Sequence, residues 1–200
     1  MELTHRLSDH HPLRTFFTIL TEKNFYEQLG WVDHGVIRYV ADLLADFSHA
    51  DRVYRFHDRD GRRCTLVSEM LRDAESGSSG VPERDVHRQI GDFTLFMMGL
   101  FPEHLARLKT RILVSGGDFL LDYVKVGKRS YRIVSELPEG GDEDGPREAA
   151  FVRRAREEAP LFRKLSDHFE LCVAGLGCIR EDLRREPDAP LDRFRDRFLN

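Results

Sequence analysis

The segment RQIGDFTLFMMGLFPEHL, residues 88–105, decides the fold class. Apolar residues recur at helical spacing along one stripe of this region, and further apolar residues fill the other faces. The stripe comprises Val86, Ile90, Phe93, Met97 and Leu100, and the other faces carry Leu95, Phe96 and Met98. A helix that is apolar nearly all round is buried on every side. The sequence therefore predicts a central helix from Pro82 to Leu100.

Gly91 and Asp92 are the two residues of this helix that apolar packing does not explain. Glycine inside a helix costs about 1 kcal/mol relative to alanine, so we expect another element to approach closely at Gly91. A carboxylate beside Phe93 and Phe96 needs a polar partner or must stay protonated. The following helix offers four candidate partners, Tyr123, Lys128, Arg129 and Tyr131. A structural buried pair and a ligand site both remain open.

That following helix begins after a second Gly-Asp-Phe triplet, residues 117–119, where Asp118 is expected to be the N-cap. One side is apolar and the other charged, with acidic residues first and basic residues later. The apolar side carries Leu120, Val124, Gly127, Tyr131 and Val134. This order of charges is favourable for the helix dipole and for ion pairs between residues three or four apart in the helix. Helix stability therefore accounts for most of the charged side, and no binding or catalytic role is needed to explain it.

The N-terminal part of the chain predicts an antiparallel pair of helices joined around Leu29-Gly30. Pro12 suits a first turn, and the second helix should run from about Asp33 to Ala50, with Trp31 as a packing anchor. The apolar face of the first helix is expected to comprise Phe16, Phe17, Ile19 and Leu20.

Two further regions complete the predicted all-α, single-domain bundle of about seven helices over residues 1–200. A helix from about Leu66 to Ala74 follows a segment near 53–67 in which Asp60-Gly61 could close a short β-hairpin. Two last helices, Arg147–Glu158 and Leu161–Arg185, are expected to be separated by Pro160. Flexible loops are expected at about 75–81 and 138–146.

Composition excludes several classes of protein. The net charge is −4, and arginine-rich segments such as RRAREE and REDLRREPD interleave the two signs, which is typical of a solvated helix surface and unlike a duplex-DNA binder. Three cysteines without a Cys-x-x-Cys pair predict reduced thiols in the cytoplasm. No apolar run approaches the roughly 18 residues that span a bilayer, and the N-terminus has no apolar core of a signal peptide.

Catalytic and metal motifs are sparse. RKLSDH, residues 163–168, matches the Arg-x4-His spacing of the HEPN ribonucleases, and this resemblance implies Arg163 as a phosphate-side stabiliser and His168 as an acid or base. The same kind of spacing recurs at Arg6/His11 and Arg52/His57, which is what chance gives in an arginine-rich chain. Glu-x-x-His occurs once, at Glu2 and His5, whereas a di-iron bundle needs two such motifs, and no His-Glu-x-x-His motif occurs, so we expect neither a metal nor a cofactor.

Gly175 and Gly177 stand inside a well-patterned helix, where together they cost about 2 kcal/mol. A neighbouring helix, a second copy of the chain or a flat ligand is expected to approach the backbone there. Gly127 and Gly91 are the other candidates for close packing or an interface.

The segments GDFTLFMMGLFPE and DYVKVGKRSY together resemble an uncharacterised family of bacterial cytosolic proteins, over the central half of the chain. The resemblance implies no activity, but it associates Asp92 with the segment from Tyr123 to Tyr131.

These observations favour a non-catalytic cytosolic helical interaction or regulatory protein that self-associates or binds a protein partner. One alternative is a HEPN-like metal-independent ribonuclease, which requires His168 in an open cleft beside Arg163. The other is a bundle that binds a small apolar or aromatic ligand, which requires an enclosed cavity near Met97, Met98 and Gly91.

Overall fold

The computed structural model describes residues 11–53, 67–77, 81–105, 123–136 and 146–186. These residues are almost entirely helical, and no strand occurs among them, which confirms the predicted all-α fold. Eight α-helices have both ends within these ranges, namely α1 (Pro12–Lys23), α2 (His34–Asp46), α3 (Ala50–Val53), α4 (Val67–Ser76), α5 (Glu83–Leu100), α6 (Tyr123–Glu136), α7 (Pro146–Asp167) and α8 (Phe169–Arg185). A π-helix, Asn24–Gln28, directly follows α1.

The chain divides into two compact units. Unit 1 comprises Met1–Tyr54, Phe96–Phe119 and Leu171–Asn200, and unit 2 comprises Arg55–Leu95 and Leu120–Glu170. Each unit is therefore assembled from segments that are far apart in the sequence. One domain over the whole chain stays a prediction.

In unit 1, α1 and α2 pack against each other as a helical hairpin, as the sequence predicts. Asp33 caps α2 by accepting a hydrogen bond from the backbone N–H of Val36 at 3.1 Å. Gly30 lies in the connection with a φ of +61°, in the left-handed region that glycine adopts without strain. Trp31 stacks on Phe25 at a ring-centroid distance of 5.8 Å, so it is the packing anchor that was expected.

The buried face of α1 differs from the prediction. Phe17 is buried, together with Arg14 and Thr21, whereas Phe16 and Ile19 are exposed. The apolar residues of α1 spread over a wider arc than one neighbouring helix can cover, so some of them remain on the outside. The four-residue apolar face proposed from the sequence is therefore wrong.

The π-helix is fixed to α8 within unit 1. The side-chain amide of Asn24 donates to the carbonyl of Leu20 at 2.9 Å and to Asp182 Oδ2 at 3.0 Å. Lys23 forms an ion pair with the same carboxylate at 3.1 Å. These bonds satisfy polar groups at the point where the regular α-helical ladder ends.

Unit 2 is built around the first part of α5, with α6 and α7 packed against each other. Val86 and Ile90 are buried on one side of α5 and Leu95 on another, as expected for a central helix. The N-terminal half of this helix also buries polar residues, among them Arg84, His87 and Gln89. Apolar patterning alone does not predict that polar content.

The predicted break at Pro160 is wrong, because α7 continues through Pro160 and ends at Asp167. A proline inside a helix leaves the carbonyl four residues earlier, here that of Arg156, without its N–H donor. Both residues are exposed, so water can bond that carbonyl. Ala155 and Phe162 are buried on either side of the proline and hold the helix in place.

Several predictions concern residues outside the described ranges. They are the β-hairpin near 53–67, the N-cap Asp118, residues 78–80 of the loop at 75–81 and residues 138–145 of the loop at 138–146. The loop predicted from residue 75 begins later than expected, because α4 continues to Ser76. Among the described helices, none combines the length and apolar character needed to cross a membrane.

Candidate functional site

Asp92 and Tyr131 form a buried pair in unit 2. Asp92 is 9% exposed and Tyr131 is fully buried. The hydroxyl of Tyr131 donates to Asp92 Oδ1 at 2.8 Å, an ordinary length for a hydrogen bond from a hydroxyl group. Tyr131 is one of the four partners expected from the sequence.

The ring of Tyr131 occupies the space left by Gly91. A Cβ atom at Gly91 would lie 2.6 Å from two carbons of this ring, which is closer than van der Waals contact permits. The ring also packs near Phe162 and Phe169, with centroid distances of 5.8 and 6.0 Å. The glycine is thus required by packing, and the aromatic side chain fills the volume that a ligand at this position would need.

The other three candidates for Asp92 have different surroundings. Tyr123 is buried, and burial raises its pKa. Lys128 donates to both carboxylate oxygens of Glu170, at 2.8 and 3.0 Å, and this bond lowers the pKa of Glu170. Arg129 is exposed. The pattern of the helix alone places Tyr131 on its buried side and Arg129 on its charged side.

His87 connects α5 with α6. Its Nδ1 lies 3.4 Å from Ser130 Oγ, a long hydrogen bond, and its Nε2 lies 3.7 Å from Glu83 Oε1. Burial lowers the pKa of His87, the carboxylate of Glu83 raises it, and the charge of Arg129 lowers it further. The net result is a pKa below the ordinary value of 6.5, so the imidazole is neutral at physiological pH.

This lowered pKa predicts a loss of stability in acid. The unfolded chain binds a proton at His87 more readily than the folded chain, so the free energy of unfolding should fall as the pH drops from about 7.5 through 6.5 toward the lowered pKa. Urea melts at several pH values measure this slope. The variant His87→Gln should have a shallower slope than the wild type, and equal slopes would contradict the assignment to His87.

An ionic cluster surrounds Glu158 on α7. Arg84, which is buried, donates to Glu158 at 3.2 Å, and Arg154 donates to it at 3.0 Å. Arg84 and Arg88 also stack on Phe162, at 5.5 and 5.3 Å from the ring centroid. Burial would raise the pKa of Glu158, but Arg88, Arg154 and Arg84 together lower it. The sequence analysis did not predict this cluster, because Arg84 and Glu158 are 74 residues apart.

Arg163 and His168 are both exposed in the structure. The guanidinium of Arg163 lies 3.3 Å from Glu136 and 3.6 Å from Asp167. His168 lies between α7 and α8, and its backbone N–H donates to the carbonyl of Lys164. Two carboxylates beside Arg163 weaken its attraction for a phosphate.

The other glycines fall into two groups. A Cβ at Gly127 would lie 2.4 Å from the ring of Phe169, and one at Gly175 would lie 2.3 Å from the ring of Phe25. Gly99, which the sequence did not single out, leaves room for Leu176 in the same way. In contrast, no described residue comes within 4 Å of a Cβ at Gly177, so packing against the described part of the chain does not explain that glycine.

A separate surface feature occurs in unit 1, where an open cleft of about 410 Å³ lies between α1 and α2. Its lining residues are Arg14, Thr15, Thr18, Ile19, Glu22, His34, Arg38 and Asp42. Arg14 and Asp42 form an ion pair across the cleft at 3.2 Å. The volume falls within the range of ligand sites, about 300–1,000 Å³, but seven of the eight lining residues are polar or charged and the cleft is open to solvent.

An exposed apolar stripe borders this cleft on α1. Phe16 is 41% exposed and Ile19 is 63% exposed, and three residues apart on a helix they share one face. Val32, just before α2, is 65% exposed. These are the exposed large apolar residues of the described ranges, and all belong to the N-terminal hairpin or its connection.

Comparison of the chain with protein-family models, with curated proteins and with solved structures gave no match. The resemblance of the central segments to a bacterial cytosolic family therefore stays a prediction.

Proposed function

We propose that this protein is a non-catalytic helical interaction protein of the cytoplasm, and that it associates with itself through the exposed face of α1. The observation that carries the proposal is the apolar stripe of Phe16 and Ile19 beside the α1–α2 cleft. Single exposed apolar side chains are ordinary on protein surfaces, whereas neighbouring ones next to a concave surface are typical of docking sites. The three cysteines, without a Cys-x-x-Cys pair, support a reducing compartment.

The two alternative functions have less support. A HEPN-like ribonuclease would use Arg163 to stabilise a phosphate, but this arginine lies beside Glu136 and Asp167. A bundle that binds an apolar ligand would use a cavity near Gly91, but the ring of Tyr131 lies against that glycine. No observation favours either alternative over the interaction protein.

Sedimentation velocity of the purified chain tests the proposal. The wild type should sediment as an oligomer, and Ile19→Glu should weaken the association at least about tenfold, because a carboxylate replaces an apolar side chain in the contact. Ala150→Glu is the matched control, since Ala150 is exposed on α7 and gains the same charge. A monomeric wild type, or equal weakening by both variants, would contradict the proposal.

A further inference from the structure

We infer that the α1–α2 hairpin binds the same hairpin of a second copy of the chain. The two copies are related by a two-fold axis, so that Glu22 of each copy faces Arg38 of the other. This inference rests on the proposed function, and it adds the identity of the partner and the charge pairs that orient it.

The charges of the cleft give the first argument. Its four fully charged side chains are two of each sign, and one pair, Arg14 and Asp42, is satisfied within the hairpin. Glu22 and Arg38 form no hydrogen bond or ion pair with any residue of the described ranges. An occupant that pairs with both of these charges brings a cation for Glu22 and an anion for Arg38. A second copy of the hairpin carries both.

Symmetry gives the second argument. In a two-fold interface, a contact from one residue to another is repeated in the reverse direction, so a self-complementary patch must contain both members of each pair. The hairpin meets this requirement in its charges, Glu22 and Arg38. It also presents an apolar side chain and a concave surface together, because the exposed Ile19 lines the cleft.

The geometry of helix packing gives the third argument. Two antiparallel hairpins that bury their apolar faces form a four-helix bundle, one of the common arrangements of helices. The stripe of Phe16 and Ile19 would lie in the shared core, and the charges of Glu22 and Arg38 would lie at its rim. Charges at a rim contribute more to orientation and specificity than to affinity.

A charge exchange distinguishes this arrangement from others. In a dimer of the Glu22→Arg variant, two cations face each other at both contacts, and in a dimer of the Arg38→Glu variant two anions do. Each variant alone should therefore associate at least about tenfold more weakly than the wild type. An equimolar mixture of the two should regain wild-type association, because every contact between unlike chains then joins opposite charges. The double variant Glu22→Arg/Arg38→Glu should associate with itself and not with the wild type.

Sedimentation velocity and native mass spectrometry of tagged and untagged chains report these pairings, and circular dichroism checks that each variant is folded. If the double variant is restored but the mixture is not, the two residues interact within one chain and the inference is overturned. If Ile19→Glu abolishes association while neither charge variant weakens it, the proposed function stands and the two-fold pairing of Glu22 with Arg38 is overturned. A monomeric wild type would overturn both.

Discussion

Replacing Asp92 by alanine is expected to lower the free energy of unfolding by about 3 kcal/mol, which is a large share of the usual 5–15 kcal/mol. The substitution leaves the fully buried hydroxyl of Tyr131 without the acceptor that lies 2.8 Å away. It also removes the contacts of a side chain that is itself buried between helices. Urea melts measure the change, and a loss below about 1 kcal/mol would contradict this account because that is the range of exposed sites.

Two further variants separate the hydrogen bond from the charge. Asp92→Asn should cost less than Asp92→Ala, because an amide oxygen still accepts from the hydroxyl of Tyr131. Tyr131→Phe keeps the ring against Gly91 and removes only the hydroxyl. A double-mutant cycle between Asp92→Ala and Tyr131→Phe should give a coupling of about 1 kcal/mol or more. Additive effects would show that the two side chains do not depend on each other.

The second large effect is expected at Gly175, with Gly177 as its matched control on the same helix. A Cβ at Gly175 would lie 2.3 Å from the ring of Phe25, which is itself buried and stacked on Trp31 and has little freedom to move. Gly175→Ala should therefore destabilise the fold by about 2 kcal/mol, despite the gain in helix propensity. Gly177→Ala meets no described residue within 4 Å and should stabilise by up to about 1 kcal/mol.

Thermal or urea unfolding of both alanine variants provides the comparison, and opposite signs are the expected result. A stabilising Gly175→Ala would show that Phe25 moves aside at little cost. If Gly177→Ala is neutral to folding but weakens self-association, Gly177 belongs to an interface, as the sequence also allowed.

Much of the fold follows from local rules. The burial of α5 could be predicted because its apolar residues cover every face, and the α1–α2 hairpin because two amphipathic helices flank a glycine connection. The continuity of α7 could not be predicted in the same way. Proline rules describe the lost hydrogen bond of Pro160, but whether a helix breaks depends on the packing of Ala155 and Phe162 on either side.

The sites were less predictable than the helices. Asp92 was recognisable as a buried carboxylate that needs a partner, and Tyr131 was distinguishable from Lys128 and Arg129 by its position on the apolar side of α6. The exposed stripe on α1 was not predicted. Sequence spacing shows that Phe16 and Ile19 share one face of α1, but it does not show which face of α1 the neighbouring helix covers.

The two glycines of α8 show the same limit, since Gly175 and Gly177 have nearly identical sequence surroundings. Only the position of Phe25, about 150 residues earlier, distinguishes them. Long-range contacts of this kind depend on the tertiary arrangement and leave no local pattern.

The proline inside α7 also has a consequence for local unfolding. Before Pro160, Ala155 is buried and the other described side chains of α7 are exposed or half-buried. After Pro160, α7 buries Phe162, Leu165 and Ser166. The missing hydrogen bond at Pro160 interrupts the cooperativity of the helix at the boundary between these two parts. Amide hydrogens before the proline should therefore exchange with solvent through partial openings that leave the second part folded. During such an opening, Glu158 would leave Arg84 and Arg88 without any global unfolding of the chain.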